Sequence, residues 1–468
     1  MPPISKWFVI TNVPIPSLAS LAEPTELDDL RVYHRGPEGA RLSGEPPFLL
    51  DVATAAPCER PTEGATTIVA APGEVEVRTS HLNENPVYYA ANRVRGRFAY
   101  FTDLFLAPLV LPALDLPVEL TEAQPLEGSP LLGVQRLKHG LTARTRRARG
   151  HWLTEAVEEP DPLGGFGAPH RDDPMAAGED QLDALSAEIR EIDTSSPKEA
   201  AYATLLSGGI DSGTVTYLAA ASGLPVTPYS VGTPWGDELD DAAELCAELG
   251  TDLVPIHLTE DQIIASVPEA VRWLGVTEPE TVEVALTATA VQRLGAIPGE
   301  QVLLTGYGSD LMNAGLYRPF THRDDLMGQV LAAIDATRYS NELSNRMPLA
   351  YGTTTHHPFW SWRVMRVALE TAPECKIREG REKFHLRTAM ARRVPEPIAW
   401  RRKIAVHHGG GLQDGVADRL EKETGTAERR GVYLACLAEL LERAKEGELE
   451  PTDPWKVLEG AFRRVRAG

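Results

Sequence analysis

One stretch, Leu205–Tyr217 (LLSGGIDSGTVTY), constrains the fold of this chain more than any other. The run Ala203–Leu206 reads as a buried strand, Ser207–Gly209 as a tight turn, and the residues beyond as a helix. A strand that turns through glycines into a helix aims several backbone N–H groups at one point, at the positive end of the helix dipole. That is a cradle for phosphate or pyrophosphate. Gly208 and Gly209 permit a close backbone approach that a Cβ would block. Asp211, just past the turn, is placed to hold a magnesium ion rather than to touch the phosphate. The spacing excludes a Walker A loop, which needs a lysine after G-x-x-x-x-G.

At 468 residues the chain is too long for one ordinary domain, and two are expected. The first third reads as β-rich: Lys6–Val13, Arg31–Tyr33, Glu74–Thr79 and Arg97–Val110 are short β-branched or aromatic runs between turn residues. His151–Asp180 is poor in aliphatics and rich in Pro, Gly, Asp and Glu, and reads as the linker. From Asp180 the pattern changes. Leu182, Leu185, Ile189 and Ile192 recur at helical spacing within Gln181–Ile192. Beyond the glycine turn, strands are expected at Pro225–Val231, Asp252–His257 and Gln301–Thr305. They alternate with helices at Asp237–Leu249, Glu260–Leu274 and Val282–Leu294. This alternation predicts a parallel sheet covered on both faces, with ligands at the carboxyl ends of its strands. The remainder, from Asp324, reads as mostly helical.

The formal net charge of −21 argues against a nucleic-acid partner, because a polyanion needs a basic surface. Cys58, Cys246, Cys375 and Cys436 are scattered, without the spacing of a zinc site or a disulfide framework. No signal peptide and no apolar run of membrane-spanning length is visible, so a cytoplasmic chain without membrane contact is expected. Homo-oligomerisation is left open.

A second glycine turn follows a second apolar strand, in Val302–Gly315 (VLLTGYGSDLMNAG). Asp310 is expected to face Asp211 across the sheet ends, where two carboxylates would suit magnesium. Taken alone, the segment reads equally as a tight turn with Asp310 capping a helix.

The first turn, SGGIDS, resembles the PP-loop of ATP pyrophosphatases, which cut ATP between the α and β phosphates. Together, SGGIDS and LLTGYGSD are similar to the asparagine synthetase superfamily. Tyr307 between the glycines of GYGSDL resembles the superfamily's β-lactam and carbapenam synthetase branch. Asn345–Ser361, Gly380–Arg387 (GREKFHLR) and Trp400–Gly410 (WRRKIAVHHGG) are similar to its later segments. Phe101–Val110 and Gly133–Gly140 echo its glutaminase-like domain. The resemblance implies an α/β two-domain fold: an N-terminal Ntn-hydrolase-like αββα sandwich over residues 1–165, and a C-terminal PP-loop ATP pyrophosphatase domain with a parallel sheet over residues 166–468.

It also implies an enzyme that uses ATP and Mg2+ to adenylate a carboxylate of a small amino-acid-like substrate, releasing pyrophosphate, and then joins the acyl group to an amine. Nucleotide contacts are implied for Leu206, Ser207, Gly208, Gly209, Asp211, Ser212, Ser230 and Gly306, and metal contacts for Asp211 and Asp310. A Tyr–Glu base dyad is implied at Tyr307 and Glu342, and an oxyanion-stabilising lysine at Lys403. Read without the resemblance, Glu342 is an isolated helical carboxylate and Lys403 belongs to a solvated basic run with Arg401 and Arg402. Lys383 reads as an ion pair with neighbouring Glu382, and a pyrophosphate contact is its less favoured role. His356–His357 and His407–His408 read as structural or substrate-shaping rather than as metal ligands. An active glutaminase of the superfamily uses a cysteine after the initiator Met, whereas Pro2 and Pro3 follow Met1 here. No glutamine hydrolysis is expected, and the first domain is expected to be a structural relic. The amine would then come from elsewhere, for instance from the substrate itself.

Overall fold

The computed structural model describes residues 5–36, 42, 44–59, 64–121, 128–316, 326–402, 411–450 and 452–467. The chain is a mixed α/β protein. Its N-terminal part carries two six-stranded antiparallel sheets. The first runs in the order Val134–Arg136, Tyr88–Asn92, Arg97–Phe101, Trp7–Thr11, Leu30–Arg35, Thr25–Leu27. The second runs His151–Glu158, Leu141–Ala148, Glu74–Arg78, Thr67–Ala71, Phe48–Asp51, Ala56–Pro57.

Alternation along Trp7–Thr11 shows how the layers form. Phe8 and Ile10 pack with Ile68, Val75 and Val77 between the two sheets, whereas Trp7 and Val9 pack outward with Phe105 and Val110. That outward core continues into the C-terminal part, through Leu437 and Leu441 of helix Arg429–Lys445.

Two expectations change here. The run Arg97–Val110 is extended only to Phe101. Asp103 then caps a 3-10 turn at Leu104–Leu106, accepting from Phe105 N at 3.0 Å, and helix Ala107–Ala113 follows. Its apolar residues suit strand and helix alike, and the capping aspartate decides between them. The expected linker His151–Asp180 also shrinks. His151–Glu158 is a strand paired along its whole length with Leu141–Ala148, and helix Pro174–Ser195 opens at its N-cap Asp173. Only residues 159–173 connect. The strand looked like a linker because it is a sheet edge, where charged side chains face water.

The C-terminal part is built on a five-stranded sheet in the order Val254–His257, Val226–Gly232, Ala201–Leu205, Gln301–Leu304, Thr354–His356, parallel throughout. Helices cover both faces. Leu182, Leu185 and Ile189 of helix Pro174–Ser195 pack with Tyr202 and Val302 on one side. Val271, Leu286 and Val291 pack with Ala203 and Leu303 on the other. The expected helix Glu260–Leu274 divides into Glu260–Ile264 and Val267–Leu274, with Pro268 in the first turn of the second, where a missing N–H is harmless. From Ala201–Leu205 the chain adds two strands on one side and then crosses to Gln301–Leu304 on the other. The reversal opens a crevice between these two strands, both of which lead into glycine turns.

Candidate active site at the sheet reversal

The first turn is held by Ser212. Its hydroxyl accepts from Ser207 N at 3.0 Å, donates to Ser207 O at 3.1 Å and lies 3.0 Å from Ser207 Oγ. Gly209 is the N-cap of helix Ile210–Ala221, so the amides of the first helical turn face the crevice with no intrahelical acceptor. The second turn presses against the first. A Cβ on Gly306 would lie 2.5 Å from Ser212 N and 2.7 Å from Asp211 C, so only glycine allows the two backbones to meet. Leu206 continues the strand, donating from N to Tyr229 O at 2.7 Å, and buried Ser230 follows Tyr229 on the adjacent strand. All eight expected nucleotide contacts thus lie on the turns, in the first turn of helix Ile210–Ala221 or on the strands beside them.

Asp211 is buried in a chain of polar contacts. Ser309 Oγ donates to Asp211 Oδ1 at 2.6 Å and accepts from Asn313 Nδ2 at 3.1 Å. Asn313 Oδ1 accepts from Gln181 Nε2 at 3.0 Å, and Gln181 Oε1 lies 2.8 Å from His385 Nε2. Burial holds His385 down at about 3, so it is neutral near pH 7.

Lys383 departs from its expected pairing. Glu382 instead receives Arg387 at 3.2 Å. The ammonium of Lys383, fully buried, bridges Asp211 Oδ2 and Asp310 Oδ1, the latter at 2.5 Å. The two carboxylates therefore converge on one cation beside the phosphate turn. An all-oxygen pair of this kind fits magnesium, a hard ion that takes carboxylates together with substrate phosphates. Asp211 and Asp310 are the residues that would hold it.

Tyr307 is half-buried, and its hydroxyl donates to Glu342 Oε2 at 2.8 Å. Tyr307 N donates to Thr305 Oγ1 at 3.2 Å, and that oxygen lies 2.6 Å from His357 Nδ1. The His357 ring meets the Tyr307 ring edge-on, with centroids 6.1 Å apart. Burial, reinforced by His356, lowers His357 to about 3, so it supports the tyrosine as a neutral ring. Burial also raises the Glu342 carboxyl above the ordinary carboxylate range, while hydrogen bonds from Tyr307, Ser340 and Thr281 act in the opposite direction. The Tyr307 phenol is pushed well up, by burial first and then by the Glu342 charge. The pair is a protonated phenol on a carboxylate of increased basicity.

Lys403, His407 and His408 lie outside the described residues. The chain leading to Lys403 is anchored: buried Arg387 donates to the carbonyls of Ala399 at 2.9 Å and Arg401 at 2.8 Å. Arg401 in turn donates to Asp241 O at 2.8 Å, and to Gly208 O in the first turn at 3.5 Å. Ser309 and Arg401 carry no site role in the sequence reading, and Lys383 carries one only as the less favoured pyrophosphate contact. Only Lys383 carried a signal, as the single lysine of the GREKFHLR segment.

Comparison with known proteins fixes the family. The sequence profile of the asparagine synthase family matches residues 197–342 and 329–463, which includes both turns and the Tyr307–Glu342 pair. This chain belongs to the asparagine synthase family. Within known members of that family and its relatives, a carboxyethyl-arginine beta-lactam-synthase of Streptomyces clavuligerus is 32% identical over 229 residues, 48% of this chain and 44% of that protein. A probable glutamine-hydrolyzing asparagine synthetase of Dictyostelium discoideum is 23% identical over 264 residues, 48% of this chain and 46% of that protein. The chain thus spans less than half the length of these curated relatives. The structure of an NMN synthetase from Francisella tularensis aligns at a TM-score of 0.29 and 16% identity, over 63% of this chain and 96% of that one.

Proposed function

We propose that this asparagine synthase family member is an ATP-dependent C–N ligase that cleaves ATP to AMP and pyrophosphate and closes an amino acid on itself to a lactam, in the synthesis of a specialised, antibiotic-like metabolite. The observation that carries this reading is the Tyr307–Glu342 hydrogen bond beside the paired glycine turns. Similarity to the beta-lactam-synthase, named for carboxyethyl-arginine, supports it. The domains divide near residue 165, and the two antiparallel sheets ahead of that point are an Ntn-type sandwich without glutaminase activity. Cys58, the single cysteine of residues 1–165, supports that view: burial and then Asp51 raise its thiol, the reverse of what an activated nucleophile needs.

In this mechanism the first turn and the N-terminus of helix Ile210–Ala221 bind the triphosphate, with Ser207, Gly208, Gly209 and Ser212 supplying the cradle. Magnesium held by Asp211 and Asp310 would neutralise charge on the leaving pyrophosphate. The substrate carboxylate attacks the α-phosphorus and becomes an acyl-adenylate. The amine then attacks the acyl carbon, and collapse of the tetrahedral adduct breaks the acyl C–O bond and expels AMP. The amine proton passes to the Tyr307 oxygen as the phenol proton passes to Glu342, so no free phenolate is required. Glu342 suits this role because desolvation has raised its affinity for a proton. Lys403 is assigned to the tetrahedral oxyanion.

A second reading, intermolecular amidation by free ammonia or another amine, follows from the similarity to the Dictyostelium protein. One experiment separates the two. Carboxyethyl-arginine and a panel of β-, γ- and δ-amino acids are incubated with ATP and Mg2+, and the products are weighed by mass spectrometry. Ring closure gives the substrate less one water without added amine. Product that forms only with added ammonia, or only as an adduct of two substrates, favours the second reading.

A further inference from the structure

We propose that the N-terminal sandwich is a working part of the synthetase, because its Arg136 clamps the backbone that presents Glu342 to Tyr307. The inference rests on the proposed Tyr307–Glu342 dyad and gives the first domain a task beyond that of a relic.

Glu342 stands two residues beyond the end of helix Leu326–Ser340. The last carbonyls of a helix have no intrahelical donor and carry the negative end of its dipole. Here the donors come from the other domain. Arg136, at the end of edge strand Val134–Arg136, is buried, and its guanidinium spreads over three acceptors. Nη1 donates to Tyr339 O at 2.5 Å, and Nη2 donates to Arg338 O at 3.2 Å and to Asn341 Oδ1 at 2.7 Å. The same guanidinium lies over the Tyr339 ring, 5.4 Å from its centroid. Asn83, also from the sandwich, donates from Nδ2 to Arg338 O at 2.8 Å. Asp161 takes the Arg338 guanidinium in a fork at 2.6 and 3.1 Å.

Asn341 then bends the chain with φ +60, a left-handed conformation that asparagine adopts more readily than other non-glycine residues. Asn341 is held on both sides of its amide: Oδ1 by Arg136, and Nδ2 by Leu274 O at 2.5 Å. The next residue is Glu342. A planar fork meets these acceptors together, whereas a lysine would offer a point charge. Arg136 touches neither Tyr307 nor Glu342 in any contact described above, so it is a positioning residue.

The test has two arms. The first needs no substrate: backbone amide exchange of the intact apo chain, wild type against Arg136→Met and Arg136→Lys. At least tenfold faster exchange in residues 338–344 of Arg136→Met is expected, with smaller acceleration in Arg136→Lys and none in helix Ile210–Ala221. Unchanged exchange at 338–344, or acceleration spread evenly over the chain, overturns the clamp. The second arm uses the amino acid of the panel that wild type converts. Arg136→Met is expected to retain substrate-dependent ATP–pyrophosphate exchange while product formation falls at least a hundredfold. Combined with Tyr307→Phe, it should add less than threefold, because both act through one dyad. Equal loss of pyrophosphate exchange and product, or full additivity, overturns the role in the second half-reaction. A wild type that exchanges pyrophosphate with no panel member overturns the proposed function and this role with it, while the amide-exchange arm still decides whether the clamp exists.

Discussion

The Tyr307 hydroxyl donates to Glu342 Oε2 across 2.8 Å, joining the second glycine turn to a residue 35 positions further along the chain. Asp310, one of the two carboxylates bridged by Lys383, is near enough that its charge adds to the rise of the Tyr307 phenol, yet adenylation and proton removal are assigned to different side chains and are tested by separate mutations. Tyr307→Phe keeps the ring against His357 and removes only the hydroxyl. Product formation is expected to fall by about 10²–10⁴-fold, the usual contribution of a positioned acid–base group. Substrate-dependent ATP–pyrophosphate exchange should stay within a few-fold of wild type. Parallel measurement of both rates checks this, and equal losses would remove the dyad from the second step.

The pH profile carries a sign. Glu342 accepts a proton only when ionised, and burial raises its pKa. Amide formation should therefore decline on acidification at a higher pH than an ordinary glutamate would give, and rise as pH increases through the raised value. Pyrophosphate exchange should lack that limb. Glu342→Gln is expected to flatten the acidic limb of product formation while lowering its plateau. A limb that survives unchanged in the variant belongs to another group.

Lys383 gives a prediction about stability and metal together. Its ammonium is fully buried between Asp211 and Asp310. Lys383→Met leaves the two carboxylates facing each other, and loss of one partner from a buried ion pair costs about 3–5 kcal/mol. Urea unfolding without metal should show that loss, and saturating Mg2+ should recover part of it in the variant. Equal stability of variant and wild type in chelator would refute the bridging role.

Gly306 tests the contact between the turns. A Cβ there meets backbone on the other turn, at 2.5 Å from Ser212 N, and backbone cannot rotate away as a side chain can. Gly306→Ala is expected to unfold cooperatively with a penalty of about 1–3 kcal/mol. Pyrophosphate exchange should fall by at least about 10²-fold, because reacting groups misplaced by an ångström lose that much. Wild-type exchange rates in this variant would show that the two turns need not touch.

Legibility in the sequence followed how local each feature is. The first turn could be read from contiguous residues, since strand, glycines and helix start need only their neighbours. The amphipathic face of Leu182, Leu185 and Ile189 was legible for the same reason. The Tyr307–Glu342 pairing was not legible from spacing and entered only through resemblance, because Glu342 follows a helix end whose carbonyls are bonded by Arg136, about two hundred positions away in sequence. Lys383 pointed to its neighbour Glu382, yet its left-handed backbone, φ +57, accompanies a side chain turned into the crevice. Arg136 gave no signal at all, since its acceptors are mostly backbone carbonyls about two hundred positions away. The misread runs have a common cause. Arg97–Val110 is apolar enough for either secondary structure, and His151–Glu158 is polar because its edge faces water.

The central claim is that the two turns serve cleavage of ATP between its α and β phosphates in order to activate a carboxylate. The direct measurement is the fate of the nucleotide during turnover, with Mg2+, of the amino acid of the panel that the enzyme converts, followed by phosphorus NMR. The account predicts AMP and pyrophosphate in equal amounts, formed in step with a product lighter than its substrate by one water. ADP and inorganic phosphate as the turnover products would contradict it.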